Sequence, residues 1–216
     1  MFEFLSSFFG KIAGAMAPAA WKFWVGRFSR PKINTARVPQ DIFDHIGPAC
    51  SRERVRELLG SAHSEHPDCW MYRFRDALVQ IEYYEGGGVS SIALALTNEG
   101  LKKGYPLPWL DAPLGKLTFG HLLLKFEGKL SKRSCMVSTE VVFHCPLNRY
   151  ARWSSFTVGA ITAAATGLLP ESPMDVERLP KYLRSSVVNV RASWVGLSGG
   201  SEEMSFSWGI ALPNAA

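Results

Sequence analysis

The hydrophobic positions in the first thirty residues repeat with the period of a helix. Apolar side chains recur at steps of three and four, before Pro18 and again after it: Phe2, Leu5, Phe9, Ile12 and Met16, then Trp21, Trp24 and Phe28. Residues at this spacing share one side of an α-helix. The pattern predicts an N-terminal amphipathic helical arm over residues 1–32. The prolines that follow predict a connector over residues 33–50.

A capped helix and three strands are predicted next. SRERVRELLG, residues 51–60, has Ser51 as a suitable N-cap and Gly60 as a stop. The runs WMYRF, LVQIEYY and VSSIALAL, between residues 70 and 96, are short, apolar and separated by turn residues. Such runs predict an antiparallel meander. We expect one module of helix and sheet over residues 51–110.

The second half repeats the same kinds of element. Helices are predicted in LGKLTFGHLLL, residues 114–124, and in DVERLPKYL, where Asp175 is the expected cap and Pro180 disturbs the second turn. Four runs predict strands: STEVVFHC, ARWSSFTVGA, VVNVRASWVGL and EMSFSWGIAL. SGGSE is expected to join the last two as a hairpin loop. The sum is an α+β fold, antiparallel sheet with a few short helices packed on one face, with a second module over residues 111–216.

The order of elements in residues 51–96 carries a resemblance. RVRELLGS is followed by a strand opening on Trp-x-Tyr, a second strand, a glycine turn and GVSSIAL. This order resembles the small helix-plus-antiparallel-sheet modules of outer-membrane assembly lipoproteins and beta-lactamase inhibitor proteins. The resemblance implies a binding module without catalytic residues. The lipoproteins carry a lipidated cysteine near the N-terminus, whereas this chain has no cysteine before Cys50.

Charge separates the arm from the rest of the chain. The net charge is +5, and residues 1–37 hold six Lys or Arg and one acid, which leaves 18 basic and 18 acidic residues elsewhere. A nucleic-acid-binding body carries its own basic excess, so nucleic acid is not favoured as a partner. Four sparse cysteines indicate free thiols in a reducing compartment. We expect a cytoplasmic location, or a peripheral one at the inner membrane.

The arm has the composition of an attachment device. Glu3 and Lys11 break the pattern of a secretory signal, and charges every few residues break that of a spanning helix. Tryptophans and cations suit a membrane surface, and an apolar stripe equally suits a partner protein or the body of the chain. The residues expected to make membrane or partner attachment are Phe2, Leu5, Phe9, Ile12, Trp21, Lys22, Trp24, Arg27 and Phe28.

Two histidines and a cysteine in HSEHPDCW raise the question of a metal site. His63, His66 and Cys69 are donors that zinc accepts. Their spacing is not that of a recurrent zinc motif, and the flanking Glu65, Pro67 and Asp68 are typical of a solvated turn. We interpret the stretch as a turn and keep the three residues as weak metal candidates. No cofactor is expected.

Aromatic and basic residues alternate in two later stretches. They are Tyr150, Arg152 and Trp153 in the first, and Arg191 and Trp194 in the second. Tryptophan, tyrosine and arginine dominate the energetics of protein interfaces. We expect these five residues to be partner-binding residues.

Together these patterns favour a non-enzymatic bacterial protein-binding protein. Its partner would be a toxin, an enzyme or a complex subunit, so the chain would be an immunity or inhibitor protein, or an accessory subunit of a defence or secretion complex. One alternative is a metal- or thiol-dependent enzyme that uses the His63, His66 and Cys69 loop. The other alternative is a membrane-active protein.

Overall fold

One antiparallel sheet organises the protein. The computed structural model describes residues 36–134, 139–147, 152–161 and 169–208. In chain order the strands are β1 (Ser64–Glu65), β2 (Cys69–Arg73), β3 (Ala77–Tyr83), β4 (Val89–Leu96), β5 (Lys129–Ser134), β6 (Thr139–Pro146), β7 (Ser155–Ile161), β8 (Met174–Asp175) and β9 (Trp194–Ser198). They lie side by side in the order β1-β2-β3-β4-β9-β7-β6-β5-β8, and every neighbouring pair is antiparallel. This confirms the predicted α+β class with an antiparallel sheet.

The meander predicted between residues 70 and 96 is β2, β3 and β4. Strand β9, from the far end of the chain, pairs with both β4 and β7. It therefore joins the meander to β5, β6 and β7 in a single sheet. The chain divides into two units, residues 1–32 and 33–216, and all described residues belong to the second. The predicted division into modules 51–110 and 111–216 stays a prediction, and the predicted arm lies outside the described residues.

Five short α-helices accompany the strands in the described part of the chain. They are α1 (Ile42–His45), α2 (Arg52–Leu59), α3 (Asn98–Lys103), α4 (Phe119–Lys125) and α5 (Lys181–Val187), with a 3-10 turn at Val176–Arg178. Helix α2 is the capped helix predicted in residues 51–60. The Ser51 hydroxyl accepts a hydrogen bond from the Arg54 N–H at 3.3 Å, and Gly60 ends the helix with φ at 78°, in the left-handed region that glycine tolerates.

Two predicted helices begin later than expected. The helix predicted over residues 114–124 begins at Phe119, because Leu114 exchanges two backbone hydrogen bonds with Tyr105 and is held outside the helix. The helix predicted over residues 175–183 is split. Asp175 makes no capping hydrogen bond, a 3-10 turn follows it, and α5 begins only after Pro180. Proline cannot donate the backbone hydrogen bond that a continuous helix needs there.

The last two predicted strands also differ from the prediction. In VVNVRASWVGL, residues 187–197, only the part from Trp194 onward belongs to a strand, β9. The backbone of residues 188–192 instead bonds the start of α4 and the residues before it. EMSFSWGIAL was predicted as a strand, and its described part, residues 203–208, forms none. SGGSE therefore joins no hairpin.

The two faces of the sheet are covered differently. On one, the helical face, apolar side chains of the central strands pack against α1, α2, α4 and α5 in one large core. The opposite face carries polar side chains in its centre, and we call it the polar face; its polar members include Gln80, Glu82, Ser91, Ser131, Arg133, Glu140, His144 and Thr157. Residues 201–208, the covering segment, lie across it.

Residues 153–170 carry no charge, and their composition predicts a buried strand that runs into a small-residue helix; β7 is that strand. Residues 162–168, where a small-residue helix is predicted, lie outside the described residues. None of the helices within the described ranges is long and apolar enough to cross a membrane.

Candidate functional site

A cavity of about 290 Å³ brings two predicted partner-binding residues together. We call it the Trp153 pocket. It opens where α1, the loop before α4 and the chain on either side of the β6–β7 connection meet. Its lining residues are Phe43, Asp44, Trp109, Leu147, Arg152, Trp153 and Leu197. The volume is at the lower end of the range found for ligand pockets, and most of the wall is aromatic or aliphatic.

Both tryptophans in the wall have an indole N–H without an acceptor. Trp153 is 5% exposed, and its Nε1 and that of Trp109 are buried and have no hydrogen-bond partner among the described residues. The indole N–H is a donor only. A buried donor without a partner costs about 1–3 kcal/mol, and both tryptophans that carry such a donor contribute to the wall of one cavity. Because five of its seven lining residues are aromatic or aliphatic, the pocket is complementary to an apolar group.

Ring packing fixes one side of the pocket. The Phe43 ring stands edge-on to Trp109, with centroids 5.4 Å apart and planes at 77°. A second edge-on contact joins Phe43 to Tyr105, whose hydroxyl donates to the Pro39 carbonyl at 2.7 Å. Edge-to-face pairs add stability beyond area burial. The Trp109 wall is thus tied to α1 before any partner binds.

Arg152 lies at the edge of the pocket and crosses over Gly47. Its Nη1 donates to the Asp44 carbonyl at 2.5 Å. A Cβ at Gly47 would lie only 2.0 Å from Arg152 Nε, so the guanidinium needs a glycine below it. In the described part of the chain neither Arg152 nor Asp44 forms an ion pair. Both charges at the rim remain open to a partner.

Sequence reasoning found Arg152 and Trp153 but missed Trp109 and Phe43. Trp109 stands in YPLPWL, a loop stretch with two prolines. A tryptophan in such a loop has no helix or strand periodicity to explain it, and this is the signal that could have identified it. Phe43 carries no comparable signal, since an apolar residue in a short helix is expected in any core.

The other predicted partner-binding residues do not join this pocket. Trp194 is fully buried on the polar face, and Arg191 is exposed in the chain before β9. In this structure Trp194 therefore offers no side chain to a partner, and Trp153 offers at most the part that lines the pocket. Tyr150 lies outside the described residues. So do the predicted attachment residues, Phe2, Leu5, Phe9, Ile12, Trp21, Lys22, Trp24, Arg27 and Phe28.

Trp194 belongs to a buried polar cluster around Glu140. Glu140 is 1% exposed. Its Oε1 accepts the indole N–H groups of Trp194 at 3.1 Å and Trp208 at 2.6 Å. Its Oε2 accepts from Arg133 Nε at 2.9 Å, and the same guanidinium lies 5.5 Å from the Trp194 ring centroid. A buried carboxylate with three donors and a cationic partner has its charge compensated.

His63, His66 and Cys69 lie around the turn between β1 and β2. The His66 N–H bonds the Cys69 carbonyl at 2.9 Å, and the His63 N–H bonds the Met71 carbonyl at 2.8 Å. His66 is exposed, whereas burial raises the pKa of the Cys69 thiol to about 12, with smaller contributions from Glu82 and Asp68. Burial lowers the pKa of His63. Across the described residues no three His, Cys, Asp or Glu side chains form a group able to hold a metal ion.

His144 and Cys145 point to opposite faces of β6, as strand geometry requires. His144 bonds the Thr157 hydroxyl at 3.0 Å and the Ser201 carbonyl at 3.1 Å on the polar face. Cys145 lies in the core of the helical face, and burial raises the pKa of its thiol to about 11. A thiolate nucleophile activated by this histidine is therefore not assembled here.

In comparisons with known proteins, no family model, curated protein or solved structure matches the chain. The resemblance of residues 51–96 to lipoprotein and inhibitor modules stays a prediction.

Proposed function

We propose that the chain is a non-enzymatic bacterial protein-binding protein, an immunity or inhibitor protein or an accessory subunit of a defence or secretion complex. The observation that carries this proposal is the Trp153 pocket. It combines tryptophan walls, two unpartnered indole donors and an arginine at the rim. Tryptophan and arginine are the residues in which binding energy concentrates at protein interfaces.

The pocket is suited to one large apolar side chain of a partner. Its wall would bury that side chain, and the burial of apolar surface in a desolvated pocket favours the bound state. The open charges of Arg152 and Asp44 at the rim would set the orientation of the partner.

The proposal includes attachment by the N-terminal arm. Its aromatic and basic residues, among them Trp21, Lys22, Trp24 and Arg27, would hold the chain at a membrane surface or on the partner. The body would then carry recognition, and the arm would raise the local concentration of the chain where the partner lies.

The test is an affinity pull-down from the native host with mass spectrometry, comparing pocket variants. The full-length chain and a chain lacking residues 1–30 are each used as bait. Trp109→Phe removes one indole donor and keeps the apolar wall, and Arg152→Ala removes the rim charge. Gly47→Ala displaces the Arg152 side chain without altering it. Gly86→Ala is the matched control, because a Cβ there meets nothing within 4 Å.

We expect one stoichiometric protein partner that the truncated chain and Gly86→Ala retain. Arg152→Ala should weaken its binding about 30-fold or more, since a hot-spot residue contributes about 2 kcal/mol. Gly47→Ala should weaken binding in the same direction, because it displaces the Arg152 side chain. A partner that binds all pocket variants equally would contradict the assignment of the pocket. Recovery of the full-length chain with membranes and no protein partner would contradict the proposed function.

A further inference from the structure

The covering segment is held by side chains of the sheet and not by a strand ladder. Four side chains of the sheet make five hydrogen bonds to the backbone of the segment: His144, Thr157, Arg133 and Gln80. Just before it, the Ser154 and Ser155 hydroxyls donate to the Gly199 and Gly200 carbonyls. Among the described residues, no backbone hydrogen bond joins residues 201–208 to a strand. Contacts of this kind hold a main chain whatever its side chains are.

Gln80 makes the most specific of these contacts. Its amide nitrogen donates to the Ser205 carbonyl at 3.0 Å, and its amide oxygen accepts the Ser207 N–H at 2.7 Å. The same nitrogen donates to Glu82 Oε1 at 2.7 Å, and Ser91 donates to the other carboxylate oxygen. These bonds fix the orientation of the amide, so the sheet holds one extended stretch of backbone in one register.

Alternate side chains of the segment are buried in packing sites on the polar face. Met204 and Phe206 are 5% exposed, whereas the intervening Ser205 is exposed. Met204 lies over Gly196, where a Cβ would come within 2.4 Å of its sulfur. The Phe206 ring packs on Trp194 at 6.3 Å between centroids and on Trp208 at 4.6 Å. The period-two pattern of EMSFSW thus reflects packing on the sheet and not membership of it.

A charged contact marks the start of the segment. Arg133 donates to the Met204 carbonyl at 3.1 Å and lies 3.4 Å from Glu203, which also accepts from Ser131 at 3.5 Å. The segment therefore presents an acidic side chain, followed by large apolar side chains at every second position, to a fixed set of hydrogen-bond donors and packing sites. Extended peptides are recognised in this way, by main-chain hydrogen bonds and pockets for alternate side chains.

We propose that the polar face is a peptide-recognition surface. In the structure this surface binds residues 201–208 of its own chain. In their place it accepts an extended segment of a partner protein, in which an acidic residue is followed by large apolar side chains at alternate positions. The surface is separate from the Trp153 pocket. Displacement exposes Trp194, which gives this predicted partner-binding residue the access that the closed arrangement denies it.

The test measures binding of a labelled synthetic peptide, GGSEEMSFSW, to the full-length chain by fluorescence anisotropy. In the wild type the attached segment competes at an effective concentration in the millimolar range. The double variant Phe206→Ala and Trp208→Ala removes two side chains of the attached segment from their packing sites, so the segment competes less well. We expect this variant to bind the peptide at least tenfold more tightly than the wild type. Circular dichroism confirms that the variant is folded; if it is not, Phe206→Ala alone replaces it.

Two controls make the result specific. A peptide of the same composition, with its Met, Phe and Trp each moved by one position, should bind at least tenfold more weakly. Adding Gln80→Ala to the double variant should weaken its binding of GGSEEMSFSW about tenfold. Adding Trp109→Phe, in the Trp153 pocket, should leave the binding of this peptide unchanged. Absence of binding to a folded variant, or equal binding of the matched and shifted peptides, would overturn the proposal and leave the Trp153 pocket untouched.

Discussion

The two faces of the sheet solve the problem of burial in different ways. The helical face buries apolar side chains such as Ile81, Ile92 and Phe143 against helices, and its stability comes from area and packing. The polar face buries Gln80, Glu140 and Thr157 beneath one short segment. Polar groups gain little from burial unless their hydrogen bonds are satisfied. The helical face is therefore a core, whereas the polar face has the properties of a binding surface that is already occupied.

The largest effect is expected from breaking the helical face. Phe143→Ala should lower the free energy of unfolding by about 4 kcal/mol, because large-to-small changes of a buried aromatic leave a cavity. Urea denaturation followed by circular dichroism measures it. Leu124→Ala is the control, since Leu124 is 92% exposed and should change stability by less than about 0.5 kcal/mol. Similar losses in both variants would contradict the location of the core.

On the polar face the strongest single effect should come from Glu140→Gln. The amide keeps the shape of the side chain but removes the charge that Arg133 faces, and its nitrogen would meet the Arg133 donor. Removing one partner of a buried pair costs about 3 kcal/mol. Urea denaturation with exposed Glu202→Gln as the control checks this. A loss below about 1 kcal/mol would mean that the cluster is not electrostatically coupled.

A smaller effect is expected at the helical face from the N-cap of α2. Ser51→Ala removes the acceptor of the Arg54 N–H and should cost about 1 kcal/mol. Ser51→Asp, which preserves an acceptor, should restore most of this stability when the two variants are compared by thermal denaturation. Equal losses in both variants would show that the cap contributes nothing.

The last prediction concerns the pH dependence of stability and rests on His144 of the polar face. Burial lowers the pKa of His144, while nearby Glu203 and the Ser201 carbonyl raise it and Lys129 lowers it further. The unfolded chain, with an ordinary pKa of about 6.5, then binds more protons than the folded chain just below that pH. Stability should fall as the pH falls through this window.

In His144→Gln this fall should be smaller than in the wild type when urea midpoints are compared at about pH 7.5 and pH 5.5. The comparison with the wild type is needed because burial also lowers the pKa of His63. An identical fall in the variant and the wild type would remove His144 as a cause.

The sequence predicts elements that depend on adjacent residues well and those that depend on distant residues poorly. The capped helix α2 and the meander β2–β4 follow from local patterns, because helix caps, turns and apolar runs are properties of adjacent residues. The alternation in EMSFSW is equally clear, yet it predicts a strand. Period two indicates only an extended chain with one buried side, and whether that chain joins a sheet or lies on it depends on residues far away, here Gln80 and Arg133.

The candidate site shows the same limit. Arg152 and Trp153 are recognisable as interface residues by type, but the pocket also needs Phe43, Trp109 and Leu197. These come from three separate parts of the chain. Trp194 is also a tryptophan that lies near an arginine in the sequence, and its burial depends on Phe206 and Glu140 across the polar face. Residue type identifies candidates, and only long-range packing decides which of them a partner can reach.

Native-state hydrogen exchange of the covering segment tests the contrast between the faces most directly. We expect the amide hydrogens of Met204 and Ser207 to exchange through an opening that leaves those of β4 and β9 protected. Their opening free energies should therefore lie well below the global free energy of unfolding. Exchange of both amides only together with β9, at the global value, would show that the segment is an inseparable part of the core and would contradict the account.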